Sequence, residues 1–209
     1  YDCIYAIIDR RRKFPASILL RALGFSSNTE IFSAFGLTKK YKLTNLKNII
    51  DKIILDDIVD INTGEILIDK NTKLDKENIK LLKKNKLDII EILDDSKENE
   101  VAIEVINNTL KKDPTNNSDE AVLLLYQHLR TGEAPDVSVA SKFIEKMFFS
   151  TKKYDLGQVG RYRINKKFGL DTPVEDAVLT KSDFIQVFKY LISMRNGQNG
   201  PDDIDHLGN

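Results

Sequence analysis

The period of the apolar positions changes several times along the chain, and each change predicts an element. Residues 3–8, Cys-Ile-Tyr-Ala-Ile-Ile, are β-branched and aromatic and predict a strand. Asp9 and the run Arg10-Arg11-Arg12-Lys13 come next. Ile18, Leu19, Ala22 and Leu23 then share one helical face. Pro15 suits the first turn of that helix, where its missing N–H costs nothing, and Gly24 is placed for a left-handed C-terminal cap. A second short helix is predicted from Asn28 to Phe35, capped by Asn28.

The stretch 37–56 is ambiguous. Leu46, Ile49, Ile50, Ile53 and Ile54 have helical spacing, but their β-branching leaves a strand open. Residues 57–68 predict a hairpin, with Ile58, Val59 and Ile61 before the turn Asn62-Thr63-Gly64 and Ile66, Leu67 and Ile68 after it. A helix over 75–84, with Ile79, Leu81 and Leu82 apolar, and a strand at Ile89, Ile90, Ile92 and Leu93 complete a small β-α-β module with its core at 57–95. This module is expected to be an insertion, 37–100, in a main domain made of 1–36 and 101–198.

Further on, Asp113 to Glu120 is a turn and helix start. The next helix, 118–130, buries Ala121, Leu124, Leu125 and Leu129 and ends at Thr131-Gly132-Glu133-Ala134-Pro135. Two more helices are predicted, one at 136–149, carrying Val139, Phe143, Met147 and Phe148, and one at 155–168, opened by Asp155. Thr180, with Asp183 three residues on, caps a helix whose inward face is read as Phe184, Val187, Phe188, Leu191 and Ile192, stopped by Gly197. Residues 199–209 read as a loop. The fold class is therefore α+β: a mainly helical domain with a short sheet and a nested, small β-rich module.

Charge sharpens this division. The 209 residues carry 32 Lys+Arg and 32 Asp+Glu, so a free-standing, strongly basic nucleic-acid binder is excluded. The charges are segregated, however. Residues 141–170 hold Lys142, Lys146, Lys152, Lys153, Arg161, Arg163, Lys166 and Lys167 against Glu145 and Asp155, whereas 51–100 carry an acidic excess. The single cysteine, Cys3, rules out an internal disulfide and a multi-cysteine zinc site. No run of about 18 apolar residues is present, so no membrane-spanning helix is predicted. The chain begins at Tyr1 and stops inside a motif, so it is expected to be a piece of something larger.

Catalytic constellations are sparse. Gly157 and Gly160 lack the lysine of a phosphate loop, and His128 and His206 lack metal-ligand spacing. Asp202, Asp203 and Asp205 have carboxylates that suit magnesium only if the backbone is held around the ion, and otherwise form a solvated turn. The basic segments carry more: Arg10, Arg11, Arg12 and Lys13 beside a strand, and Arg161 and Arg163 with Tyr162 between them, interleave cations with an aromatic as a nucleic-acid surface does. An ordinary solvated face explains the same residues.

Five blocks then resemble the bacterial RNA polymerase β subunit, in that family's order. They are Asp9 to Ala16 with Leu19-Leu20-Arg21-Ala22-Leu23; Asp113-Pro114-Thr115-Asn116; Leu129 to Pro135; Phe148-Phe149 through Tyr154-Asp155-Leu156 to Val159-Gly160-Arg161-Tyr162-Arg163-Ile164-Asn165; and Arg195-Asn196-Gly197 with Asp202 to Asn209. The resemblance implies the β lobe, a wall of the cleft for downstream and non-template DNA, with 37–100 matching a region of lineage-type insertions. It implies that Arg11 and Arg130 face the single-stranded non-template strand. Lys153 stands where some relatives have arginine; the charge is kept and the bidentate fork is lost. Ile204 and Asp205 match a pocket for an unstacked guanine, whose N1–H and N2–H₂ donors a carboxylate accepts. It also implies that the chain alone is inactive and that no cofactor belongs to it, the magnesium of the whole enzyme being held mainly by β′. The implied partners are DNA, the rest of β, and β′, α and σ, in the bacterial cytoplasm at the nucleoid. Two rivals stand beside this reading: a protein-interaction platform on which the acidic module 57–95 binds a transcription factor, and an unrelated soluble domain.

Overall fold

A two-stranded antiparallel hairpin opens the chain in the computed structural model, which describes residues 2–44, 49–60, 62–130 and 136–200. Strands β1 (Tyr5–Ala6) and β2 (Phe14–Pro15) pair Tyr5 with Pro15 and Ala6 with Phe14. The predicted strand 3–8 is shorter because the chain leaves the ladder for an exposed basic tip, where Asp9 and Arg10 both take left-handed conformations at φ 52° and 55°. Helix α1 (Ala16–Ala22) starts at once, with Pro15 as its N-cap and not its first helical residue. Gly24 closes it as predicted: at φ 110° it gives its N–H to the Arg21 carbonyl while Phe25 gives its own to Leu20.

Helix α2 (Asn28–Ala34) is capped one residue earlier than predicted. The Ser27 hydroxyl accepts the Glu30 N–H, and the Glu30 carboxylate accepts the Ser27 N–H, a reciprocal box that satisfies two orphan donors. Asn28 has other work: its Oδ1 accepts from Arg21 and its Nδ2 donates to the Leu55 carbonyl.

Strand β3 (Thr38–Lys42) pairs antiparallel with β6 (Ile89–Leu93), from Thr38 opposite Leu93 to Lys42 opposite Ile89. The segment between them holds the hairpin β4 (Ile58–Val59) with β5 (Ile66–Ile68), and α3 (Lys76–Lys84), capped by Asp75. Residues 52–54 run antiparallel beside 72–74 through the bridge Ile53–Lys73, between left-handed turn residues Asp51 and Asn71: Asp51 donates to Leu74, Leu74 to Lys52 and Ile54 to Thr72. The extended alternative for Ile53 and Ile54 is thus the one realised; Leu46 and Ile61 fall outside the described residues. One apolar cluster joins Leu43, Ile49 and Ile54 to Ile68, Ile79, Leu82 and Ile92, so this core draws on residues N-terminal to the expected 57–95.

Helix α4 (Glu100–Leu110) is absent from the predicted elements, because Val101, Ile103, Val105 and Ile106 are β-branched and weaken a helical reading. It packs on α1 and α2, burying Val105 and Ile106. Helix α5 (Ser118–Leu129) comes next. The chain divides into two compact units at 125/126, within α5.

The second unit contains α6 (Val137–Phe148), α7 (Gly157–Phe168) and α8 (Lys181–Arg195). The buried face of α8 differs from expectation, and that of α6 is set by residues the sequence reading did not name. On α6, Ala140 and Ile144 are buried and Val139 is exposed. On α8 the buried stripe is Ile185, Phe188 and Ile192, at i, i+3 and i+7, which leaves Val187 and Leu191 in solvent. That helix is apolar around more of its circumference than its neighbours cover. Phe148, Phe149 and Phe184 pack edge-on or tilted, with centroids 5.6–6.4 Å apart. The architecture is α+β: eight α-helices and three two-stranded sheets among the described residues. No helix among them is long and apolar enough to cross a membrane.

Burial orders the mutational response of the β3–β6 ladder. Ile92→Ala is expected to cost about 2–5 kcal/mol by leaving a cavity in the apolar cluster, and the exposed Ile89→Ala roughly 0.5 kcal/mol or less. Urea denaturation midpoints of the two variants check this order.

Candidate nucleic-acid interface

The basic candidates fall into three structural situations. Arg10, Arg11, Arg12 and Lys13 form the exposed tip of the β1–β2 hairpin. Among the described residues none of the four has a carboxylate within ion-pair distance. The Lys13 ammonium sits 4.9 Å above the Tyr5 ring. From the end of α4, the Lys112 ammonium donates to the Tyr5 hydroxyl at 2.8 Å. That bond holds the Lys112 amine above the ordinary lysine range, so it is a fixed cation at neutral pH. Sequence reasoning missed Lys112, because nothing in its local pattern places it 107 residues away against Tyr5.

Arg130, Lys153 and Arg163 are exposed side chains of the second unit. Arg130 lies just past α5 and stacks its guanidinium on Phe143, 4.9 Å from the centroid. Stacking fixes the plane of the fork and leaves its edge donors outward, which suits an oxyanion. Lys153 stands on the turn between α6 and α7. That turn is pinned by Tyr154, whose hydroxyl donates to the Phe148 carbonyl and accepts the Leu179 N–H. Arg163 lies on α7, with Val159, Tyr162 and Lys166 at helical spacing on the same exposed face. Helix α7 carries no acid, so its field is uniformly positive.

Arg161 corrects the sequence reading. Its side chain is 0% exposed, and its Nη1 donates to both carboxylate oxygens of Asp183 at 2.9 and 2.8 Å. Nε donates to the Asp176 carbonyl at 3.2 Å and Nη2 to that of Val178. It has no surface to offer DNA. Arg161 and Arg163 form one basic strip in the linear sequence, but residues two apart on a helix point in opposite directions, so one arginine faces out and the other in. Asp183 also serves α8, accepting the Thr180 N–H at 2.6 Å in the predicted capping box. The signal for the buried role was present: an N3 acid on α8 beside a helix without acids.

A second buried pair stands in the first unit. Arg21, 4% exposed, donates from Nε to Asp113 at 3.3 Å, from Nη2 to Asn28 at 2.6 Å, and from Nη1 to the Asn116 carbonyl at 3.3 Å and the Ser26 carbonyl. This contact explains why Leu-Leu-Arg-Ala-Leu and Asp-Pro-Thr-Asn stand together as motifs: one supplies the cation and the other its anion and turn. Ile204 and Asp205, together with Asp202, Asp203 and His206, lie outside the described residues.

Taken together, these features define a class first: an α+β, two-unit chain with exposed cations displayed on a hairpin tip and a helix, and structural arginines locked inside. The family RNA polymerase Rpb2, domain 2, matches residues 2–209, and the chain belongs to it. It is similar to the DNA-directed RNA polymerase subunit beta of Flavobacterium psychrophilum, at 43% identity over 224 residues, covering 99% of this chain and 18% of that protein. The subunits of Bacteroides thetaiotaomicron and Porphyromonas gingivalis are each 40% identical, over 226 and 227 residues, each covering 100% of this chain and 18% of theirs. The chain thus spans about a fifth of the length of these curated relatives. The resemblance read from the five blocks is borne out at the level of this family and domain.

The buried fork has a measurable weight. Arg161→Ala is expected to lower unfolding free energy by roughly 3–5 kcal/mol, because it strands the Asp183 charge. Arg161→Lys should recover only part of it, since a single ammonium facing Asp183 cannot also reach the Asp176 and Val178 carbonyls that Nε and Nη2 bond. Chemical denaturation read at the second unit's aromatic near-ultraviolet signal tests both.

Proposed function

We propose that this chain is the lobe of a bacterial RNA polymerase β subunit. It forms a wall of the DNA cleft and grips non-template and downstream DNA through exposed cations. The observation that carries the reading is the hairpin tip: Arg10 to Lys13 stand exposed with no carboxylate partner among the described residues, in a chain that belongs to this polymerase family. Bare guanidinium and ammonium groups replace the counterions of a phosphate backbone, which gives affinity without sequence preference. Arg130, Lys153 and Arg163 extend the grip, and Ile204 and Asp205 are assigned to the guanine pocket. Polymerisation of ribonucleoside triphosphates on the DNA template belongs to the assembled enzyme, in which the magnesium is held mainly by β′. The partners are the rest of β, with β′, α and σ, in the bacterial cytoplasm. The segment between β3 and β6 is read as the lobe's nested insertion.

A second reading, the interaction platform, is favoured by one feature. A groove of about 330 Å³ in the first unit is lined by Ile58, Val59, Leu87 and Ile89 together with Asp56 and Glu91, and Val59 and Ile89 are exposed. Under that reading Ile89→Glu abolishes a factor cross-link in the assembled polymerase and leaves DNA affinity unchanged.

The DNA reading is tested by salt. The chain should bind a single-stranded oligonucleotide weakly, and log Kd should rise linearly with log salt. Replacing Arg11 and Arg12 together by Ala should reduce that slope by about 1.4, at roughly 0.7 per phosphate contact on single strands. A slope unchanged by the substitution contradicts the assignment. In the intact polymerase, Arg130→Ala is expected to shorten the open-complex lifetime several-fold, and an unchanged lifetime removes Arg130 from the grip.

A further inference from the structure

The first unit holds a polar cavity of about 260 Å³ between the end of α4, the turn from Asp113 to Asn116 and the 70–71 turn. Arg21 lies in its wall, Lys70 and Lys111 line it from exposed positions, and Asn71, Asn107 and Asn116 also line it. Its lining carries three cations and one acid, Asp113. The state of that acid decides what the cavity takes. Asp113 Oδ2 accepts from Arg21 Nε at 3.3 Å, and Oδ1 accepts from the Thr115 N–H at 2.8 Å and its hydroxyl at 2.6 Å. Both oxygens are engaged, so a metal cation would find no free carboxylate. The donors are in the opposite condition. The Lys70 ammonium makes one hydrogen bond, to Asn116 Oδ1 at 3.3 Å, while its backbone N–H donates to Asp57 Oδ1 at 2.6 Å, and neither the Lys70 nor the Lys111 ammonium has a carboxylate within ion-pair distance among the described residues. Arg21 Nη2 donates to Asn28 Oδ1 and has a second N–H to give.

We infer that this cavity is a binding site for a small oxyanion of the phosphate class. Two lysine ammoniums at the mouth attract the anion, and the Arg21 edge with the amides of Asn71 and Asn107 offers directed donors, while the Asn116 amide is engaged by Glu120 and Lys70. Asp113 orients Arg21 and neutralises one of the three cations, and the Glu120 carboxylate, which accepts from the Asn116 N–H and side-chain amide, offsets part of the charge of the two lysines that remain to attract the anion. The inference stands apart from the DNA-gripping reading, because none of these residues belongs to the hairpin tip or to α7.

The test uses the 209-residue chain in a phosphate-free, low-salt buffer, titrated with inorganic phosphate and monitored by amide chemical shifts. Saturable shifts are expected at Asn71, Asn107 and Asn116. Lys70→Ala and Lys111→Ala should each weaken the binding by roughly three- to tenfold. Lys80→Ala, an exposed lysine of α3 outside the cavity, should leave it unchanged. Thermal melting confirms that the three variants are folded. Non-saturating shifts, or saturation that Lys70→Ala and Lys111→Ala leave intact, would overturn the site. A single-stranded oligonucleotide then identifies the source: if it displaces phosphate from these amides, the group bound is a nucleic-acid phosphate, and if it does not, it is a free small phosphate. Either result retains the site.

Discussion

A guanidinium taken out of water must find its hydrogen-bond acceptors inside the protein, and each unit of this chain is arranged around one that has. Arg21 ties α1 and the loop before α2 to the turn that starts at Asp113, bridging residues 92 apart in sequence. The β3–β6 segment lies between these two anchor points in the chain, so the bridge joins the two stretches that flank it. Arg161 ties α7 to the loop from Asp176 to Val178 and to the first turn of α8. Such pairs add little net stability over a well-packed apolar core, because desolvating two charges offsets most of their attraction. They are costly to break and demanding of geometry, and the Arg161–Asp183 pair holds α7 in the rotation that turns Arg163 and Tyr162 outward.

That division of labour between arginines makes the surface legible. With Arg21 and Arg161 satisfied internally, the cations that remain on the hairpin tip and on α7 are matched by few acids and project a positive field from a chain of zero net charge. Elsewhere several lysines are paired: Lys39 with Asp94 at 2.8 Å, Lys40 with Glu91 at 3.9 Å, and Lys52 with Asp95. These pairs lie along the β3–β6 segment, where the acidic excess of the sequence falls. A segregated field of this kind steers a polyanion toward one set of elements and away from another.

Much of the fold was legible in the sequence because its punctuation is chemical. Gly24, Thr180 with Asp183, and Gly197 marked helix ends through φ freedom and side-chain caps, and the Asn62-Thr63-Gly64 turn marked the β4–β5 hairpin. Where the reading departed from the structure, tertiary contacts decided. Asn28 has the chemistry of a cap but is claimed by Arg21, so Ser27 takes the cap. Val187 and Leu191 fit an apolar face but lie beyond what the neighbouring helices cover. The β-branched α4 is helical because α1 and α2 bury its Val105 and Ile106. Among the site residues, charge type was visible in the sequence and direction was not. Arg161 and Arg163 read alike until the helix placed them on opposite sides, and Lys112 entered the basic surface only through its long-range bond to Tyr5.

The central claim is that outward cations grip DNA while inward arginines hold the frame. Mapping a single-stranded oligonucleotide onto the chain by amide and arginine side-chain chemical shifts tests it most directly. The account predicts perturbations at residues 9–13 and 162–167, with the Arg161 Nε–H signal unmoved. Perturbations confined to the β3–β6 segment, or a shifted Arg161 signal with a silent hairpin tip, would contradict it.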